Sequence, residues 1–190
     1  MKILALAVLI ALCHSQVRLN SRTLRVSPAS TFSTLEEAAA VAVAGDTIEL
    51  SGGQHPGGLS IRGLQGRQGA EIVIRSHPDD IATIAGGNTN LQLSEVAYVV
   101  IERVRFRDGL LNGVNIDDGG SFETPSHHVR IENCAFGPMR GSGNNDLLKL
   151  SGLDSFLIRS CSFVDGAAGG SGIDIVGCHV GTISGNTFRA

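Results

Sequence analysis

Lys149 and Asp174 lie 25 residues apart, and each is the centre of an apolar-flanked triplet, Leu148-Lys149-Leu150 and Ile173-Asp174-Ile175. Two triplets of the same form precede them, Leu91-Gln92-Leu93 and Val114-Asn115-Ile116. In a strand with one buried face, alternate side chains point the same way. The aliphatic flanks then point inward, and Gln92, Asn115, Lys149 and Asp174 form an outward column if the strands stack in register. Ser94, Asp117, Ser151 and Val176 form the next column along. Carboxylates and amides can hold hydroxyl groups or a calcium ion, and Lys or His can move a proton. Beside Asp174, Lys149 should keep its proton, which suits it to clamp an anion rather than act as a base. His179, just beyond the last triplet, is the better base. Lys149, Asp174 and His179 are therefore the candidate catalytic residues, and Asn115, Asp117, Glu123 and His128 the candidate binding residues. A plainer reading stands beside this one. A Lys–Asp pair across neighbouring strands stabilises a solvated face by only about 0.2–1 kcal/mol. Asp117-Asp118-Gly119-Gly120 is half a calcium site or a polar turn. His127 and His128 are adjacent, so on a regular strand they face opposite ways and at most one lines a groove.

The elements that must position these residues are internal repeats. Ile101–Phe106, Ile131–Phe136, Ile158–Phe163 and Ile183–Phe188 align without gaps, with Ile first and Phe sixth, at offsets of 30, 27 and 25 residues. From the last apolar residue of each triplet to this Ile is eight residues in three of the four repeats. The exception, Ile116 to Ile131, spans fifteen and so carries an insertion, Asp118 to His128, that holds Glu123, His127 and His128. Strands this short cannot close a core alone. Stacked along one axis they can, each coil about 4.8 Å above the last. This predicts an internal ladder of Phe106, Phe136, Phe163 and Phe188 within a right-handed parallel β-helix of about five coils. Cys134 and Cys161 share one repeat position, and Asn186 continues it. The two thiols could bond, or fill the ladder unbonded.

The first residues read differently. Lys2 precedes an unbroken apolar run, Ile3 to Leu12, and small residues at 13 and 15 allow cleavage before Gln16. Residues 1–15 are thus expected to be a signal peptide, and residues 16–190 the β-helix domain of a secreted or periplasmic protein. Leu12 stands where a lipobox needs a small residue, and the run is too short to span a bilayer, so no membrane anchor is expected after cleavage. Three cysteines then remain, an odd number, with no spacing that suits zinc. Ser33-Thr34-Leu35-Glu36-Glu37 predicts a capped helix of about ten residues, to Ala44, able to plug the first coil. The chain stops inside a repeat at Phe188-Arg189-Ala190, which reads as truncation of a longer stack.

The run STFSTLEEAAAVAVAGDTIELSGGQH resembles the entry segment of secreted right-handed parallel β-helix proteins, above all the alginate lyase and chondroitinase B group of polysaccharide lyases. The later runs DLLKLSGLDSFLIRSCSF and GSGIDIVGCHVGTISGNTF are similar to the repeats of many β-helix proteins. The resemblance spans residues 31–190 and implies an acidic polysaccharide as partner. It carries over no catalytic residue, because the group's catalytic Lys and Arg and its calcium carboxylates lie on later coils, in motifs this sequence does not contain.

The expected function is therefore that of an extracellular carbohydrate-active β-helix, lyase-like, acting by β-elimination at a uronate. The alternatives are a glycan-binding or structural β-helix without catalysis, and an inverting glycoside hydrolase using two of Asp117, Asp118 and Asp174. No cofactor is required by the sequence, though calcium would suit the carboxylates. A formal net charge of −3 argues against non-specific nucleic-acid binding. GxSxG, HExxH and phosphate-loop motifs are absent.

Overall fold

The computed structural model describes residues 21–190; the expected signal peptide lies outside the described residues. The chain winds into a right-handed parallel β-helix with three sheets, every strand hydrogen-bonded to its counterpart one coil away. A seven-stranded sheet is formed by Thr23–Val26, Thr47–Leu50, Ile72–Ser76, Ala97–Glu102, Ser126–Glu132, Leu153–Arg159 and His179–Ser184. The five-stranded sheet comprises Leu59–Arg62, Thr89–Ser94, Asn112–Asp117, Leu148–Ser151 and Ile173–Val176. The six-stranded sheet comprises Gly53–Pro56, Ala82–Ala85, Arg105–Arg107, Ala135–Phe136, Ser162–Val164 and Thr187–Arg189. This makes about six turns, one more than the sequence suggested. Thr23–Val26 and Gly53–Pro56 were both passed over; Gly and Pro disguise the second, which stands at the edge of its sheet, where Pro is tolerated.

The repeat register is as the side chains dictate. Ile74, Ile101, Ile131, Ile158 and Ile183 pair in succession up the seven-stranded sheet. The four Phe stack face to face, with centroids 5.2, 4.8 and 5.0 Å apart and rings within 17° of parallel. Phe106, Phe136 and Phe163 are fully buried, whereas Phe188, in the last coil, is exposed on its far side. Ile175, Val176 and Ile183 of that coil are also exposed. Cys134 and Cys161 are unbonded, buried thiols within the same core, and Asn186 continues their column by accepting the Cys161 N–H at 2.8 Å.

The N-terminal helix is Leu35–Ala39, half the expected length. Thr34 and Glu37 close a capping box at its start. Leu35, Ala38 and Ala39 are buried against the first strands of the seven- and five-stranded sheets, so the helix covers the first coil as expected. The alanine run does not prolong it, because the chain must turn back to place Asp46. The Asp46 carboxylate accepts the Val43 N–H at 3.0 Å, the Arg22 N–H at 3.0 Å and the Arg22 guanidinium at 2.5 Å.

Candidate functional site

The outward column on the five-stranded sheet forms as the triplets predict. Ser60, Gln92, Asn115, Lys149 and Asp174 are register partners in turn, and Arg62, Ser94, Asp117, Ser151 and Val176 run beside them. Gln92, Asn115, Asp117, Lys149 and Asp174 are only partly exposed, and their side chains bond to one another. Gln92 Nε2 donates to Asp117 Oδ2 at 2.8 Å, and Asn115 Nδ2 donates to Gln92 Oε1 at 2.7 Å. The Asn115 carbonyl oxygen is buried and takes no hydrogen bond among the described residues. Asp117 Oδ1 accepts the Gly119 N–H, and Asp118 Oδ1 the Gly120 N–H, which is the geometry of a polar turn. Among the described residues no three His, Cys, Asp or Glu converge as metal ligands.

Further up the column, Lys149 Nζ lies 2.5 Å from Asp174 Oδ2 and 3.8 Å from Asp146 Oδ2. The bond to Asp174 raises the lysine pKa; partial burial opposes this, and the two carboxylate charges add to it. Lys149 is therefore an ammonium at neutral pH, a clamp and not a base. Counting Arg62, Glu95, Asp117, Asp146, Lys149 and Asp174, four carboxylates face two cations on this side of the molecule.

The other expected residues lie elsewhere. Glu123 is exposed on the insertion, which leans on the preceding coil at the corner between the five- and seven-stranded sheets. There Ser126 Oγ accepts the Val96 N–H at 2.9 Å and donates to the Asp117 carbonyl at 2.7 Å. His179 and His128 are on the seven-stranded sheet, around that corner from Lys149.

The expectation that His127 and His128 face opposite ways is wrong. His128 has φ of 54°, a bulge that breaks the alternation and leaves both side chains outside. Their Nδ1 atoms are 2.9 Å apart. The bulge recurs in the neighbouring strands, at Tyr98, Ser155 and Val180, with φ between 51° and 56°. It follows a second column, Ala97, His127, Asp154 and His179, which are register partners. Asp154 thus stands between two imidazoles, and its Oδ1 is 2.9 Å from His179 Nδ1. Tyr98 stacks on His128 at 4.4 Å and meets His127 edge-on at 5.3 Å. Burial lowers the His127 pKa, and the neighbouring His128 lowers it further, against the pull of Asp154.

Tyr98, Asp154 and Arg130 were missed by the sequence reading. The repeat held the signal: positions four, three and one before the shared Ile collect these residues with His127, His128 and His179.

No family model matches the chain, and no curated protein matches it. Solved structures do. The chain is similar to pectate lyase Pel9A, with 13% identity and a TM-score of 0.54 over 77% of this chain and 54% of that one. It is also similar to a mutant of the PL6-family alginate lyase AlyGC, with 16% identity and a TM-score of 0.53 over 81% of this chain and 26% of that one. The chain thus spans about half the length of the pectate lyase and a quarter of the alginate lyase. What it shares with these two lyases is the parallel β-helix fold, as the resemblance of its repeats implied.

Proposed function

We propose that this chain is part of a secreted, carbohydrate-active β-helix that takes an acidic polysaccharide along the five-stranded sheet and cleaves it by β-elimination at a uronate. The observation that carries the proposal is the outward column Ser60, Gln92, Asn115, Lys149 and Asp174, one polar residue per coil in strict register. A polymer lying along the helix axis meets an equivalent side chain about every 4.8 Å, which suits a ligand that repeats. The fold shared with a pectate lyase and an alginate lyase supports the same substrate class.

In this reading Asn115, Asp117 and the insertion's Glu123 hold sugar hydroxyls. Lys149, held charged by Asp174, pairs with the uronate carboxylate and stabilises the enolate-like charge that develops when the C5 proton leaves. His179 is the candidate base, because Asp154 bonds its Nδ1 and so leaves Nε2 to take the proton. Both imidazoles stand on the seven-stranded sheet; His179 follows Val176 of the groove by three residues, and His128 lies one register position further round the corner, so only His179 is kept in this reading.

The test is to incubate the protein with alginate, pectate and chondroitin, with and without calcium, and to follow ultraviolet absorbance from an unsaturated product. Absorbance growing with time on one of them supports elimination. Reducing ends without absorbance would replace it by hydrolysis. Binding with no product would leave a glycan-binding module, the reading favoured if the two carboxylates around Lys149 hold it away from substrate.

A further inference from the structure

We propose a second glycan site, on the outer face of the seven-stranded sheet, that binds one uronate unit with its ring against His128, which Tyr98 backs, and its carboxylate on Arg130. It does not depend on the groove described above and shares with it only the class of ligand.

The bulge column is the first ground. Tyr98, His128, Ser155 and Val180 occupy the left-handed region one above another, although none is glycine or asparagine. A β-branched residue there, as Val180 is, is a genuine outlier. Positive φ also recurs at Arg103, Asn133 and Ser160, so the conformation belongs to the corners of the coil, and what matters here is what it does to the side chains. Its effect is to leave two consecutive side chains outside at His127–His128, Asp154–Ser155 and His179–Val180.

The second ground is shape. Glu71, Tyr98, His128, Arg130, Phe156 and Val180 line a cavity of about 350 Å³. That falls at the small end of ligand pockets, suited to one sugar unit. Tyr98 and His128 stack face to face, within 18° of parallel, so Tyr98 backs one side of the imidazole and the other side of the exposed His128 ring is left open. A flat π surface that is partly open to solvent suits the apolar C–H face of a pyranose.

Charge supplies the third. Arg130 Nε is 3.3 Å from Glu132 Oε1, but Glu132 also accepts Arg159 at 2.8 Å. Two guanidiniums share one carboxylate, so the Arg130 end of the cavity retains positive charge. Arg130 is itself exposed and can offer a planar pair of donors to a second carboxylate. Glu71, which also lines the cavity, can accept from sugar hydroxyls.

The test titrates a galacturonate hexamer into the protein, with maltohexaose as the uncharged control, and follows binding by calorimetry and the imidazole ring signals by NMR. Tyr98→Asn and His128→Asn remove the rings while keeping a residue that tolerates the left-handed conformation. Arg130→Gln removes the charge from an exposed position and should not disturb folding. The expected result is a shift of the His128 ring signals on adding the galacturonate hexamer, with affinity at this site lowered at least fivefold in each variant and no response to maltohexaose. Movement confined to the side-chain amides of Gln92 and Asn115 would overturn the second site and leave the groove reading standing. An unchanged affinity in Arg130→Gln, equal binding of maltohexaose, or no binding at all would also overturn it. Failure to release an unsaturated product would overturn the elimination reading alone.

Discussion

Lys149 and Asp174 form an ion pair of 2.5 Å between adjacent coils, each side chain about one-third exposed. Asp146 Oδ2 lies 3.8 Å from the same ammonium, on a residue that is itself buried and accepts the Ser171 N–H at 2.9 Å. This arrangement fixes the position of the ammonium and holds it charged. Lys149→Met keeps the aliphatic stem and removes only the charge. In a protein active on a uronate polymer it should lower turnover at least tenfold. The exposed pair contributes little to folding, so the unfolding free energy should change by about 1 kcal/mol or less. Measured together, the two quantities separate the roles: unchanged turnover reduces Lys149 to a strand-to-strand ion pair.

The Phe ladder makes a sharper stability prediction. Phe136 is sandwiched between Phe106 and Phe163 and is fully buried. Phe136→Ala should cost about 3–5 kcal/mol, the range for a large aromatic lost from a core that cannot collapse. Phe188, stacked on one side only and half exposed, should cost distinctly less. Chemical denaturation of the two variants checks the order.

The ladder was legible because identical residues at a fixed spacing have one simple explanation, stacking. The same holds for the column from Gln92 to Asp174, which follows from alternation alone. The Tyr98–His128 pair did not come out of that logic. Its position depends on a bulge, and the bulged residues, Tyr, His, Ser and Val, carry none of the Gly or Asn chemistry that announces a positive φ. Alternation counted through His127 and His128 therefore sent one ring to the wrong side. The strand Gly53–Pro56 was hidden for the opposite reason, since its composition speaks for a turn while its pairing with Ala82–Ala85 makes it a strand. The helix beginning at Leu35 was overestimated because alanine propensity is weak beside the hydrogen bonds that Asp46 requires.

Asp46 should govern acid stability at the N-terminal end. Its side chain is fully buried. Burial alone would raise its pKa, but the hydrogen bonds from the Arg22 side chain and from the Val43 and Arg22 N–H groups, with the Arg22 charge, lower it overall. The folded value lies below the unfolded one, so the carboxylate stabilises the fold above the unfolded pKa, and this is lost as pH falls through the folded value. Asp46→Asn replaces an acceptor by a donor facing the guanidinium. It should cost about 2–3 kcal/mol at neutral pH and flatten the stability profile below pH 4.

His127 should shape the profile at milder acidity. Burial, and then the adjacent His128, depress its pKa below the ordinary 6.5, with Asp154 opposing. The 2.9 Å contact between the two Nδ1 atoms needs one donor and one acceptor, so it requires at least one neutral ring. In the unfolded chain His127 takes its proton near pH 6.5; in the folded chain it does so only at lower pH. The unfolded state therefore binds more protons between the two values, and stability falls as pH drops through that window. His127→Gln removes this titration while keeping a polar side chain between Ala97 and Asp154. Denaturant midpoints of the variant should decline less steeply than those of the parent from about pH 6.5 downward, and the two should run parallel above it. Parallel slopes throughout would mean that His127 titrates alike in the folded and unfolded chains, and the imidazole contact would then contribute nothing to the acid sensitivity of this face.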